Sequence, residues 1–362
     1  ANNNALNKEL KKKGINSTLY EKNFINKFFD YLFGISFILK ILIKLNLQHS
    51  FAKFLKKKKI DLIIFLGPSE LALFCGDINF VLNIWDLDHK KNSPYPEHKK
   101  NYIFEKKEEF LKIVLFKAFK IVVAHNQNKD DLIRIYNCAA DKILVQAFIP
   151  YLPNVSNYDL NFFNNDEKKY IENLYKDKKI ILYPATFWAH KNHKYIIDSI
   201  IELKNRNINN FHFIMCGSDR GTFKYIKQLI KENKLFNYVT IFPLVSNLFL
   251  KNLYEGCFAV IMPTDAGPTN LPLYEAMYFK KPIFYSKNLN DQEVKEIIIS
   301  IDIKNPTNFV NKIIDLKDDE IARKINLGSL YYKKYCNQND FNKLYMNIIN
   351  DFKEILSKWR DV

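Results

Sequence analysis

Short, fully apolar runs alternate with longer stretches whose apolar residues recur at helical spacing, almost from end to end of the chain. In the first part, runs at 61–66, 80–85, 121–124 and 143–146 predict strands. Residues 24–57, 103–119 and 127–136 predict helices. A helix at 4–13 closed by Gly14, then a short strand at 15–20, is expected before them, since glycine takes a left-handed C-cap at little steric cost. In the second part, strands are expected at 180–183, 211–216, 239–242, 259–262 and 282–285. Helices are expected at 193–205, 222–234, 248–255 and from 273, and 307–357 reads as mostly helical. Strands this short and this uniformly apolar, with helices between them, predict an α/β protein with parallel sheets covered on both faces.

The rhythm breaks at 151–166, which holds Pro153, several asparagines and no period. A boundary there predicts two Rossmann-like domains, residues 1–152 and 153–345, with a last helix, 346–362, returning to the first. The total of 362 residues is too long for one ordinary core and agrees with that division. Open α/β sheets bind ligands beyond the carboxyl ends of their strands, so the cleft between two such domains is the expected site.

Composition narrows the function classes. Hydrophobic residues at 48% and aromatic residues at 15% exclude a disordered chain. Five scattered cysteines (Cys75, Cys138, Cys216, Cys257, Cys336) exclude a disulfide scaffold and predict buried free thiols in a reducing compartment. The formal charge of +16 favours anionic partners, namely nucleotides, phospholipid surfaces or nucleic acid. An AT-rich coding bias toward Lys, Asn, Ile, Phe and Tyr accounts for part of that charge. The first residues do not read as a secretory signal, and the apolar stretch 24–47 is interrupted by Lys27, Asp30, Lys40 and Lys44, so no spanning helix is expected. Residues 24–59, with Lys53 and Lys56 to Lys59 added, read either as a crossover helix on the sheet or as a face for an anionic leaflet. The chain opens on Ala1 with no strand before its first helix. A missing N-terminal strand is therefore expected, leaving a gap of two strand spacings, about 9–10 Å, between the strand at 15–20 and the one at 80–85 or its neighbours.

Three segments carry candidate chemistry. Residues 260–285, VIMPTDAGPTNLPLYEAMYFKKPIFY, read as strand, loop with Gly267 and Pro268, then a helix opening near Pro272. Such a loop aims backbone N–H groups at one point and suits phosphate or sugar oxygens. Glu275, placed in the first helical turn, fits either as an acceptor of two ribose hydroxyl bonds or as a plain helix-start glutamate. Residues 183–193, YPATFWAHKNH, follow the first strand of the second part. Lys191 there is a compact cation suited to phosphate, or else a solvated lysine. His190 and His193 flank it at helical spacing, but no carboxylate or thiolate completes a metal site. Residues 81–97, VLNIWDLDHKKNSPYPE, put Asp86, Asp88 and His89 at a strand end. His89 there could orient hydroxyls or move a proton; the alternative is a packed loop histidine beside aspartate caps.

In order, these segments resemble the retaining GT-B glycosyltransferases of family four, the group 1 glycosyltransferases. Leu271-Pro272 and Glu275-Ala276-Met277 match that family's motif, while the glutamate it carries eight positions earlier is Gly267 here. Lys191 falls on the family's diphosphate lysine, Thr186 takes the place of its arginine, and Arg220 is a candidate substitute. Asp86-Leu87 and His89 match the first-domain motif, with Trp85 where a histidine is usual. The resemblance covers about residues 60–300. It implies two Rossmann-like domains facing across a cleft. The implied reaction moves a hexose, with retention, from a GDP- or UDP-linked sugar to a glycan or lipid-linked hydroxyl in surface polysaccharide synthesis. Asp86 and His89 would be catalytic; Lys191, Gly267, Thr269, Asn270, Leu271 and Glu275 would hold the donor. No metal, cofactor or nucleic acid is implied. The expected location is cytoplasmic, peripheral at the inner face of the cell membrane. The alternatives are a nucleotide-sugar epimerase or phosphorylase on the same architecture, a relative silenced by Gly267 and Trp85, or a basic nucleic-acid-binding protein. The last lacks any recognition signature of its class.

Overall fold

The computed structural model describes residues 14, 16–18, 20, 49–152, 173–266, 271–286 and 292–358. The chain forms two compact units, one of residues 1–84, 108–122 and 136–144, the other of residues 85–107, 123–135 and 145–362. Segments 85–107 and 123–135, which the single cut at 152 places in the first half, thus group with the second.

The first unit is built on a four-stranded sheet, β1 (Leu62–Phe65), β2 (Asn79–Ile84), β3 (Lys120–Val123) and β4 (Ile143–Val145), in the order β1-β2-β3-β4. The last residues of β3 and β4 count with the second unit. β1 and β2 pair in parallel from Leu62↔Asn79 to Phe65↔Leu82. β2 is buried from Phe80 onward, as a strand covered on both faces must be. Its one buried amide, Asn83, donates to the Phe65 carbonyl at 2.7 Å.

Two expectations for this unit change. Residues 16–18 and Tyr20 are in no strand. β2 has strands on both sides, β1 and β3, where a gap was expected. Of the helix expected at 24–57, the described part is Ser50–Lys57, since 21–48 lie outside the described residues, as does the helix expected at 4–13. It buries Phe51, Ala52 and Leu55 and leaves Lys53, Lys56 and Lys57 exposed, the division of a crossover helix packed on its own core.

The second unit holds a six-stranded parallel sheet in the order β10-β9-β8-β5-β6-β7. Its strands are β5 (Lys179–Pro184), β6 (Phe211–Cys216), β7 (Val239–Phe242), β8 (Ala259–Met262), β9 (Ile283–Ser286) and β10 (Ile299–Ile301). β6 and β8 are buried at every residue. Tyr183, Tyr195, Tyr254, Tyr274, Tyr285 and Phe213 are fully buried around the sheet. The order reverses between β5 and β8, and such switch points open a crevice at the carboxyl ends of the strands. Residues 307–357 resolve into three helices, Pro306–Ile314, Asp318–Tyr335 and Gln338–Ser357. All five cysteines are buried free thiols.

Candidate functional site

The loop after β5 is fixed first by backbone packing. The Phe187 N–H donates to Ser218 O at 3.0 Å, and the Thr222 hydroxyl donates to Phe187 O at 2.7 Å. The turn after β6 comes so close that a Cβ on Gly217 would lie 2.2 Å from the Ala185 carbonyl oxygen, so only glycine fits there. Asn192 then takes a left-handed conformation, φ 53°, which asparagine tolerates better than most residues. Its side-chain oxygen caps the helix His193–Asn205 by accepting from the Tyr195 N–H at 3.3 Å.

Lys191 stands at this bend. Its carbonyl accepts from the buried Tyr183 hydroxyl at 2.5 Å. Burial lowers its ammonium, and the Asp88, Asp86 and Glu97 carboxylates act to raise it. It is therefore no free surface lysine but a half-buried cation among acids. Asp86 also accepts from the Asp88 N–H at 3.1 Å, closing the turn that starts the short helix Asp88–Lys91. His89 lies on that helix, buried, with its ring edge-on to Phe104 at 5.6 Å. Asp86, Asp88 and Lys191 are thus electrostatic neighbours. His190 and His193, flanking Lys191, have different surroundings. His193 is buried and stacked on Phe187 at 4.1 Å, and burial takes its pKa down to about 3. His190 faces a carboxylate.

That carboxylate is Glu97, on the short helix Pro96–Lys99. One oxygen of Glu97 accepts from the His190 backbone N–H at 3.1 Å and also meets His190 Nδ1. Burial pushes the Glu97 carboxyl up, but the His190 bonds outweigh it and leave the group below its ordinary range. At the residue that precedes this helix, the Tyr95 hydroxyl donates to Asp265, just beyond β8. The Asp265 N–H donates to the His190 carbonyl at 2.9 Å. The loops after β5 and β8 and the 95–98 turn are therefore tied together at His190. His98, buried, lies nearly parallel to the His190 ring at 6.4 Å. Tyr95, Glu97 and His98 were not singled out from the sequence.

Glu275 is on the helix Leu271–Tyr278, just past the first turn in which it was expected. It is 8% exposed and accepts from the Tyr254 hydroxyl at 2.7 Å. Burial pushes its carboxyl up to about 7, while the Tyr254 bond pulls it down. Leu271 is exposed at the helix start, and Gly267, Thr269 and Asn270 lie outside the described residues. Arg220 is exposed, 5.7 Å over the Trp188 ring. On the same helix as Glu275, Tyr274 is buried with its hydroxyl 3.2 Å from His125 Nε2.

Residues 164–327 match the family model described as glycosyl transferases group 1. Among solved structures, the chain is similar to a glycosyltransferase from Rickettsia africae, at 19% identity and a TM-score of 0.64, covering 95% of this chain and 88% of that one. It is also similar to a sucrose-phosphate synthase from Thermosynechococcus elongatus, at 18% identity and a TM-score of 0.66, covering 83% and 77%. A third is Anabaena HepE, solved in complex with UDP and glucose, at 15% identity and a TM-score of 0.60, covering 85% and 81%. No curated protein matches the chain. The fold is thus the α/β, parallel-sheet fold of GT-B glycosyltransferases, and the family model over residues 164–327 supports a transferase, as the motifs led us to expect.

Proposed function

We propose that this protein moves a hexose from a UDP- or GDP-linked sugar to a hydroxyl of a glycan or lipid-linked acceptor, with retention at the anomeric carbon, in surface polysaccharide synthesis. One observation carries the reading: Lys191 is held half-buried at the carboxyl end of β5, in a stretch that matches the group 1 glycosyltransferase model. A buried ammonium beyond the carboxyl ends of a parallel sheet suits an anionic leaving group.

In this account Lys191 stabilises the departing diphosphate, helped by the backbone of Gly267, Thr269, Asn270 and Leu271 and by the amino end of the helix Leu271–Tyr278. Glu275 accepts ribose hydroxyls through the oxygen that Tyr254 does not occupy. Asp86 and His89 serve the reacting sugar, Asp86 as neighbour of Lys191. No metal or cofactor is invoked. No described helix is long and apolar enough to cross a membrane. The exposed Lys56, Lys57, Lys58 and Lys59 would give a lipid-linked acceptor's anionic leaflet a basic contact at the inner face of the membrane. Turnover of UDP- and GDP-sugars, followed by release of the nucleoside diphosphate and by the anomeric configuration of the product, tests the reading. Release with inversion would remove retention alone; intact donors would remove the reaction.

A further inference from the structure

A carboxylate that holds Nδ1 of a histidine does a specific thing. It fixes the tautomer with the proton on Nδ1 and leaves Nε2 as a lone-pair acceptor pointing elsewhere. Glu97 and His190 have this arrangement. Glu97 binds both Nδ1 and the backbone N–H of His190, so neither the ring nor its main chain can turn freely. The Asp265 N–H bond to the His190 carbonyl removes the remaining backbone freedom. The ring is further boxed by Tyr95, edge-on at 6.1 Å, by His98 at 6.4 Å and by Trp188 at 6.5 Å. The Glu97 side chain is 5% exposed and that of His190 12%, so the pair is screened from water while the histidine keeps an opening. Nε2 has no hydrogen-bond partner among the described residues. The next residue in the chain is Lys191.

Resting on the transferase reading above, we propose that His190 is a catalytic base, accepting through Nε2 the proton of the incoming hydroxyl, and that Glu97 is its positioning residue. In the step, the bond from the sugar C1 to the β-phosphate oxygen breaks and its electron pair leaves with the nucleoside diphosphate. A bond forms from C1 to the acceptor oxygen on the face from which the diphosphate leaves, so the anomeric configuration is retained. The acceptor's proton passes to Nε2, Glu97 holds the resulting imidazolium, and the proton then goes to water. Dyads of this form recur wherever a hydroxyl must be activated at neutral pH. Five groups face the imidazole and set its titration: Glu97, Tyr95 and His98 from the 95–98 turn, Asp86, and Lys191. Burial first, and Lys191 next, lower the imidazole below its ordinary pKa against the pull of Glu97, which keeps it in the proton-accepting form at neutral pH.

The test has two arms. Nitrogen-15 NMR of the full chain reads the His190 tautomer without any donor: an unprotonated Nε2 and a protonated Nδ1 support the proposal, and an Nε2–H tautomer overturns it. In the second arm, hydrolysis of UDP-glucose and GDP-mannose and calorimetric binding of UDP and GDP are measured for His190→Gln, Glu97→Gln and Glu97→Asp. The expected result is kcat lowered about 10²–10⁴-fold in His190→Gln. Glu97→Gln falls at least about tenfold and Glu97→Asp recovers part of the loss, while nucleotide affinity stays within about threefold for all three. Unchanged kcat, or a loss confined to nucleotide affinity, overturns the base and leaves the transferase reading standing. No hydrolysis of either donor and no binding of either nucleotide by the parent chain overturns the transferase reading, and the base with it. If His190→Gln fails to fold, His190→Asn, whose amide nitrogen reaches the Nδ1 position toward Glu97, replaces it in the same assay.

Discussion

Replacing Glu275 by glutamine is expected to change how the stability of the protein depends on pH. The carboxyl is buried against Tyr254, and burial moves it from 4.5 up to about 7 in the folded chain. Between those two values the folded state binds a proton that the unfolded state has released. The contribution of this group is therefore fully present below about 4.5 and is lost as the pH rises through about 7. Integrated from about pH 5 to about pH 8, the loss is about 2.5 kcal/mol. Glutamine does not titrate, so its static effect on packing, whatever its size, cancels in the difference between the two pH values. Urea unfolding of parent and variant at both pH values measures that difference. The parent should lose about 2.5 kcal/mol more than the variant on going to the higher pH. Parallel pH profiles would show that Glu275 ionises in the folded protein as it does in water, and the burial argument would fail. The physical content is that an ionised glutamate at this position weakens the fold. In the function proposed above, that ionised form is the one that accepts ribose hydroxyls of the donor.

Lys191→Ala should cost about 1.5–3 kcal/mol in calorimetric affinity for UDP or GDP and nothing for the free nucleoside; equal losses for both would move Lys191 away from the phosphates. Gly217→Ala puts a methyl 2.2 Å from the Ala185 oxygen and should destabilise the second unit by about 1–3 kcal/mol in thermal unfolding, and an unshifted melting curve would contradict the close approach of the two loops. His193, taken by burial to about 3, should show no proton NMR titration between about pH 5 and pH 8, and a midpoint in that range would mean its ring is solvated. Sedimentation with liposomes should show binding that rises with anionic lipid and falls when Lys56 to Lys59 are changed to Gln, and binding indifferent to lipid charge would remove the membrane contact.

Much of the architecture was legible because a strand buried on both faces must be uniformly apolar. β6, β7 and β8 lie at the positions the sequence predicts, 211–216, 239–242 and 259–262, and β1 to β5 and β9 agree to within a residue or two at their ends. β10 was not anticipated. It begins at Ile299, immediately after the helix Gln292–Ile297, and the run Ile297-Ile298-Ile299 gives neither a period of two nor one of 3.6 to separate them. The first residues misled for a different reason: a strand at 15–20 was inferred from a short apolar pattern with no partner to test it, and pairing is what makes a strand.

The site was half legible. Asp86 stands just beyond a strand end and Lys191 in the loop that follows one, where a local pattern can place them. Glu275 falls just past the first turn of its helix rather than within it, because the loop before it leaves the first helical residue ambiguous in the sequence. Glu97 meets His190 across 93 positions, and Tyr95 meets Asp265 across 170. No periodicity spans such separations. The only signal for Glu97 was a carboxylate in a turn beyond a strand's carboxyl end, and that signal is shared by Asp86 and Asp88.

The central claim is transfer from a nucleoside diphosphate sugar, and a donor panel tests it most directly. The full chain is incubated with UDP-, GDP- and dTDP-linked hexoses, and the released nucleoside diphosphate is measured with circular dichroism confirming the fold. The account predicts release from a UDP- or GDP-linked donor, abolished or sharply reduced in Lys191→Ala. Every donor left intact by the folded protein would contradict it.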